Sequence, residues 1–352
     1  MLTSILVFIL AIGLLIFVHE LGHFLAARRN GVLVEEFCLG FPPRIFKKKV
    51  GETLYSIGLL PIGGFVKIHG EDGEEKNDSR SFASKSVWQR TKIISAGVLM
   101  NVLLGVVLLF LGYLIGVPAL VGEETSGIEQ VQILEVFPDS AAQKAGLRTG
   151  DILIEAEAAG TEPRQILKTS DLIEFTGAHR GQPIFLEIER GGEILKEEIV
   201  LSNLETSPLG VAVGNVGKIS YPWYRAFWEA VVTTFSLIVL ICVNLFKLIF
   251  TGGVELSQVS GPVGIYNLTD QATRMGFVYV LQFTVILSLH LAVINILPFP
   301  ALDGGRLFFL AIEKIKRSPV SRQVEQKAHL IGFFVLIALM ILITVKDVLG
   351  LF

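Results

Sequence analysis

Three ionisable side chains fall within five residues at His19-Glu20-Leu21-Gly22-His23, inside an apolar run that covers residues 2–27. On an α-helix, positions four apart share a face, so both imidazoles can reach one ion. Two histidines leave a zinc ion short of ligands. Glu20, next in sequence, is placed to act on a water molecule rather than to bind the metal. Zinc lowers the pKa of a bound water to about 7, and a neighbouring carboxylate can pass the proton on to a leaving amine. The bland alternative is a polar patch that glues two helices together. Such glue is normally Ser, Thr or Asn, whereas ionisable groups in an apolar helix are costly unless they have a task or a partner.

A third ligand is needed. Asp303 stands out at the end of another apolar block, Asn295-Ile296-Leu297-Pro298-Phe299-Pro300-Ala301-Leu302-Asp303-Gly304-Gly305. Two prolines break the helix, and the glycines after Asp303 permit a tight bend. Broken backbone at membrane depth is tolerated only where it lines protein or a watery cavity. Taken alone, Asp303 reads equally well as the cap of a following helix. Beside an H-E-x-x-H that lacks a ligand, the ligand reading is preferred.

The elements that must position these groups follow from composition. Of 352 residues, 51% are hydrophobic and 18% charged, against about a quarter charged in soluble domains. The apolar excess gathers at 2–27, 93–117, 226–250, 277–300 and 331–349, each near the roughly 20 residues that a spanning helix needs. Between them lie polar stretches at 28–92, with 12 Lys/Arg against 8 Asp/Glu, and 118–225, with 9 against 17. Basic residues favour the cytoplasmic side, which places 28–92 inside and 118–225 outside. Arg306, Lys314, Lys316, Arg317, Arg322 and Lys327 place the segment after Asp303 inside as well. The first apolar run lacks a basic n-region and a small-residue cleavage site, so it does not read as a cleaved signal. No polybasic run of nucleic-acid-binding type is visible.

Together, the two motifs resemble those of the site-2 protease family, intramembrane zinc metalloproteases of the M50 type. The likeness is closest to the bacterial branch with a PDZ domain, the regulators of membrane-bound anti-sigma factors. The resemblance implies a polytopic α-helical membrane protein with about four transmembrane helices, a membrane-associated β-hairpin and one extracytoplasmic PDZ-like α/β domain. It implies one zinc ion per chain on His19, His23 and Asp303, with Glu20 as catalytic base and Asn295 near the scissile peptide. Leu60-Pro61-Ile62-Gly63-Gly64-Phe65-Val66-Lys67 resembles the family's membrane-dipping hairpin, whose edge at Gly64, Phe65 and Val66 would hold an unwound substrate strand. Ala96-Gly97-Val98-Leu99-Met100-Asn101 resembles an Ala-Gly-Pro-x-x-Asn element with Val98 in place of proline; Asn101 reads as helix-packing glue. The family setting is a bacterial inner membrane. Expected substrates are single-span proteins, such as anti-sigma factors or signal-peptide remnants.

The expected domains are a membrane half at 1–117, the PDZ-like domain at 118–210, a re-entrant or interfacial segment at 211–276, and a second membrane half at 277–352. Strand-like runs occur at Val131–Val136, Ile152–Glu155, Ile184–Ile188 and Ile194–Leu201. Between the first two, Ser140-Ala141-Ala142-Gln143-Lys144-Ala145-Gly146-Leu147-Arg148-Thr149-Gly150-Asp151 resembles a bacterial PDZ turn, with Ala141 in place of proline. The domain is expected either to capture a peptide or substrate ectodomain by strand addition, or to act as a size gate. For Asp303 to reach the depth of His19 and His23, 226–250 must cross an even number of times. It is therefore expected to turn back or lie along the surface, flanked by Trp223, Tyr224 and Trp228. A reporter at Gly253 would test this.

Cys38 and Cys242 cannot form a disulfide framework and read as small packing residues. His69, His179 and His329 read as ordinary surface or interface residues. His290 lies inside an apolar helix about 140° around from Asn295, and reads as a substrate-side or packing hydrogen bonder rather than a zinc ligand. Two other classes compete with a protease: a membrane zinc or proton transporter and a non-proteolytic scaffold. The placement of Glu20, the PDZ-like domain and the absence of repeated polar helices argue against the transporter, and the intact Glu20 argues against the scaffold, which has no need of a base.

Overall fold

Runs of leucine, isoleucine and valine too long for a soluble core set the architecture. The computed structural model describes residues 2–72, 75, 77–123, 128–203, 207–251 and 259–349. Among these, five helices are long and apolar enough to cross a membrane: α1 (Leu2–Arg29), α2 (Val87–Ile115), α5 (Trp223–Phe246, prolonged by a π-helical turn to Thr251), α7 (Phe277–Ile296) and α9 (Arg322–Leu349). They correspond to the five apolar blocks of the sequence, and α5 with its π-helical turn runs for 29 residues to Thr251. Its sequence holds no glycine or proline at which a chain could turn back. Gly253 lies outside the described residues.

The chain divides into two compact units, Met1–Leu111 with Trp223–Thr273 and Val280–Phe352, and Gly112–Pro222 with Arg274–Tyr279. In the first, β1 (Val34–Val50) and β2 (Thr53–Ile68) form an antiparallel sheet. The inner part of β1 pairs with the end of β2 (Phe37 with Val66, Leu39 with Gly64), while its outer part pairs with the start of β2 (Lys47 with Ser56, Val50 with Thr53). Phe24, Phe37, Val66, Ile68 and Ile93 are buried together, so α1, α2 and this sheet share one core. Shorter helices α6 (Pro262–Met275) and α8 (Asp303–Lys316) flank α7 in sequence.

The second unit is a mainly antiparallel sheet. It contains β3 (Val117–Leu120), β4 (Ile128–Val136), β5 (Ile152–Ala158), β6 (Arg164–Gln165), β7 (Pro183–Arg190), β8 (Glu193–Val200) and β9 (Val211–Ile219). All four expected strand runs are strands. Strand order is β3-β9-β4-β5-β7-β8, with β6 beside β5. The sheet thus takes in residues on both sides of the expected 118–210 boundary, because β9 pairs with both β4 and β3. Helices α3 (Ala141–Lys144) and α4 (Thr169–Ala178) complete the unit. Ser140 caps α3 through Gln143 N–H, and Gly146 and Gly150 take the positive φ values (76° and 97°) that the turn requires. Buried Asp151 closes the turn by holding Arg190 at 2.7 Å through two nitrogens.

Candidate metal centre

One turn of α1 separates His19 from His23, and their Nε2 atoms face one another at 3.2 Å. This face of α1 lies against α2 at backbone distance. A Cβ on Gly22 would stand 2.4 Å from the Ala96 carbonyl oxygen, and one on Gly97 would stand 2.4 Å from His23 Nε2. Only glycine at both positions lets the helices approach so closely and leaves room for the rings. The far ring nitrogens are held by α2. His23 Nδ1–H donates to the Ile93 carbonyl at 3.0 Å, and His19 Nδ1 lies 3.4 Å from the fully buried Asn101 amide. Such outer partners fix which nitrogen of an imidazole faces a metal. Asn101 is fixed in turn: its backbone carbonyl accepts from Ser288 Oγ on α7 at 2.8 Å.

The third group arrives from the break that the two prolines predict. Helix α7 stops at Ile296 and α8 begins at Asp303, whose Oδ2 stands 3.1 Å from His19 Nε2 and 3.3 Å from His23 Nε2. Gly304 and Gly305 are forced: a Cβ on either would lie within 2.4 Å of a backbone oxygen of the preceding bend. Asp303 Oδ2 is buried and has no hydrogen bond of proper geometry, so three ligand-type atoms converge on one space. Four ligands at about 2.0–2.1 Å around a tetrahedral centre sit about 3.3 Å apart. The three measured separations, 3.1, 3.2 and 3.3 Å, fit that spacing. His19, His23 and Asp303 form the one such cluster among the described residues.

Glu20 lies beside the cluster and faces β2. The Val66 backbone N–H is directed at its carboxylate, and a Cβ on Gly64 would stand 3.5 Å from Glu20 Cγ. Two of the three strand residues singled out from sequence thus meet α1 at the expected base. Phe65, between them, is half-buried and turned to the other face by strand alternation. Asn295 is half-buried near the end of α7. His290 is exposed, gives its Nδ1–H to the Ile286 carbonyl of its own helix, and is outside the cluster.

Three groups escaped the sequence reading. Gly97 falls within the 96–101 element but carried no role there, although an Ala-Gly pair in an apolar helix is a sign of close helix approach. Asn101, read as packing glue, touches a histidine of the cluster. His329, read as a surface or interface residue, accepts the Ala301 N–H at 2.9 Å and so reaches the Asp303 bend. His69, at the end of β2, does belong to a surface network. Glu35 and Asp78 hold its imidazolium and raise its pKa above the ordinary value. Glu35 is held below the ordinary carboxylate range by Lys67 and His69, and Asp78 by the Arg80 N–H and His69.

The sequence pattern of peptidase family M50 matches residues 7–339. The chain belongs to peptidase family M50. Full-length relatives agree. A Clostridium perfringens protein is 36% identical over 343 residues, 97% of each chain. Zinc metalloprotease RasP of Geobacillus kaustophilus is 33% identical, with 99% of this chain and 98% of that one covered. Regulator of sigma-W protease RasP of Bacillus subtilis is 32% identical, with 99% of each covered. The Geobacillus alignment runs over 431 positions, so at least 79 of them (431 − 352) have no counterpart in this M50 chain.

Proposed function

We propose that this M50 peptidase is a zinc-dependent intramembrane endopeptidase that cuts single-span membrane proteins within or beside their transmembrane segment. The observation that carries this reading is the convergence of His19 Nε2, His23 Nε2 and Asp303 Oδ2 at 3.1–3.3 Å, with Glu20 beside them. These three residues would hold zinc, which when bound polarises the scissile carbonyl and acidifies water. Glu20 takes the proton from the attacking water and returns it to the amide nitrogen as the peptide bond breaks. The Val66 N–H, directed at Glu20, keeps the carboxylate aimed.

A transmembrane helix hides its peptide bonds, so it must unwind before it is cut. The end of β2, with β1 on one edge and α1 at Gly64 and Val66, offers a strand to which an extended segment can add. Asn295 and His290 on α7 are proposed to hydrogen-bond that segment. Relatives named regulator of sigma-W protease and regulator of sigma E protease support a role in sigma-factor control, and membrane-anchored regulators of sigma factors are the substrates proposed here. The β-rich unit is proposed to face the extracytoplasmic side of a bacterial inner membrane, with α5 crossing an even number of times or lying along the surface; the excess of acidic over basic residues at 118–225 supports that side. In that position the unit would capture or screen substrates already trimmed outside.

The test compares wild type and Glu20→Gln in proteoliposomes with a panel of single-span substrates, zinc content being measured alongside. The expected result is one zinc per chain in both and cleavage only by wild type. Equal processing by both would sink the mechanism.

A further inference from the structure

Asp303 reaches the two imidazoles from a six-residue bend, Leu297 to Leu302, that no helix stiffens. Its two prolines have no N–H to give. The Leu297, Phe299 and Leu302 N–H groups bond to Ile294, Leu297 and Phe299 carbonyls, within the bend or the turn before it. The fourth, that of Ala301, leaves the bend and donates to His329 Nδ1 on α9 at 2.9 Å. Ala301 has φ of 79°, a left-handed conformation that an alanine holds only when its surroundings impose it. One turn further along α9, Gly332 touches the same bend, for a Cβ there would stand 2.3 Å from the Pro300 oxygen.

We propose that His329 is a positioning residue for the metal centre: through its bond to Ala301, α9 sets where Asp303 stands. The proposal rests on the reading of His19, His23 and Asp303 as metal ligands. The two histidines are already fixed by α2, so the bend is the part of the site with freedom to drift. A ligand displaced by a few tenths of an ångström falls outside usual metal–ligand distances. An acceptor at the Nδ1 position removes that freedom, whereas a side chain without one leaves a buried N–H unpaired and the alanine free to relax.

The full chain, purified in detergent and stripped of metal, is titrated with zinc against a fluorescent chelator. His329→Ala removes the acceptor, and His329→Asn keeps one near the position of Nδ1. Zinc affinity is expected to fall about tenfold or more in His329→Ala and to stay within about threefold of wild type in His329→Asn. Gly332→Ala, which pushes on Pro300 from the same face, is the second variant and is expected to lose a similar factor. Unchanged affinity in His329→Ala or Gly332→Ala overturns the proposal. So does an equal loss in His329→Asn and His329→Ala, because the acceptor would then not be what matters. A wild type that binds no zinc is a different failure, of the metal reading itself.

Discussion

Replacing Gly97 with alanine separates the metal centre from the fold that carries it. In a helix interior alanine is favoured over glycine by about 1 kcal/mol, so α2 loses nothing locally. The added methyl would stand 2.4 Å from His23 Nε2 and 2.8 Å from His19 Cε1. Ordinary contact begins at 3.4 Å, so His23 Nε2 must retreat by 1.0 Å (3.4 − 2.4). Metal–ligand distances tolerate about 0.2 Å. The retreat is about five times that tolerance, and zinc affinity should fall on the order of 100-fold or more. Without metal the rings can swing aside only by giving up their bonds to Ile93 and Asn101, about 1 kcal/mol each. The helix gain of about 1 kcal/mol partly offsets this, so the metal-free protein should unfold within a few degrees of wild type. The stabilisation by zinc, about 2.7 kcal/mol at a hundred times Kd, should vanish. The assay is zinc per chain after gel filtration together with zinc-dependent thermal unfolding. Gly13→Ala on α1 serves as control, since a Cβ there meets nothing within 4 Å. Wild-type zinc affinity in Gly97→Ala would refute the ring positions and the site built on them.

Asn101→Leu keeps the helix-packing volume but removes the partner of His19 Nδ1; zinc affinity measured by chelator competition should drop about 10- to 100-fold. Val66→Pro removes the N–H directed at Glu20. It should retain one zinc per chain while kcat/KM for a single-span substrate falls by about 100-fold. The His69 network gives a pH window with two edges. The raised pKa of His69 contributes stability below its unfolded value of about 6.5, lost as pH rises through the folded one. The lowered pKa values of Glu35 and Asp78 contribute above about 4, lost as pH falls through the folded ones. Amide protection factors at His69 and residues 80–82, corrected for the intrinsic pH dependence of exchange, should therefore be highest in mildly acidic buffer and lower on either side; uniform protection from pH 4 to 9 would contradict it.

The candidate site was legible because its residue types are expensive where they stand. His19, Glu20 and His23 in an apolar helix and Asp303 beyond two prolines each break a local rule, and the structure places the two histidines and Asp303 together and Glu20 alongside. Strand runs of the β-rich unit were legible through period-two alternation. What stayed hidden acts through backbone or through absence. Gly97 matters for a methyl it lacks, and His329 for one main-chain hydrogen bond across 28 residues (329 − 301). Neither leaves a periodic trace in a single sequence. The bound of the sheet at β9 was also invisible, because Val211–Ile219 reads as a short apolar stretch until its pairing with β4 and β3 is known. Crossing number was harder still: a largely apolar helix of 29 residues satisfies the length rule whether it spans or lies flat.

Asp303 lies 280 residues after His23 (303 − 23), and the bend that carries it rests on a helix that begins later still, at Arg322. During synthesis the two imidazoles and the base therefore enter the membrane long before their carboxylate partner exists. A nascent chain with a complete hairpin and a folded β-rich unit would still hold a two-ligand site too weak to keep its metal. For the intramembrane peptidase proposed above, the order of the genetic message would double as a safety catch, released when the last helix has docked.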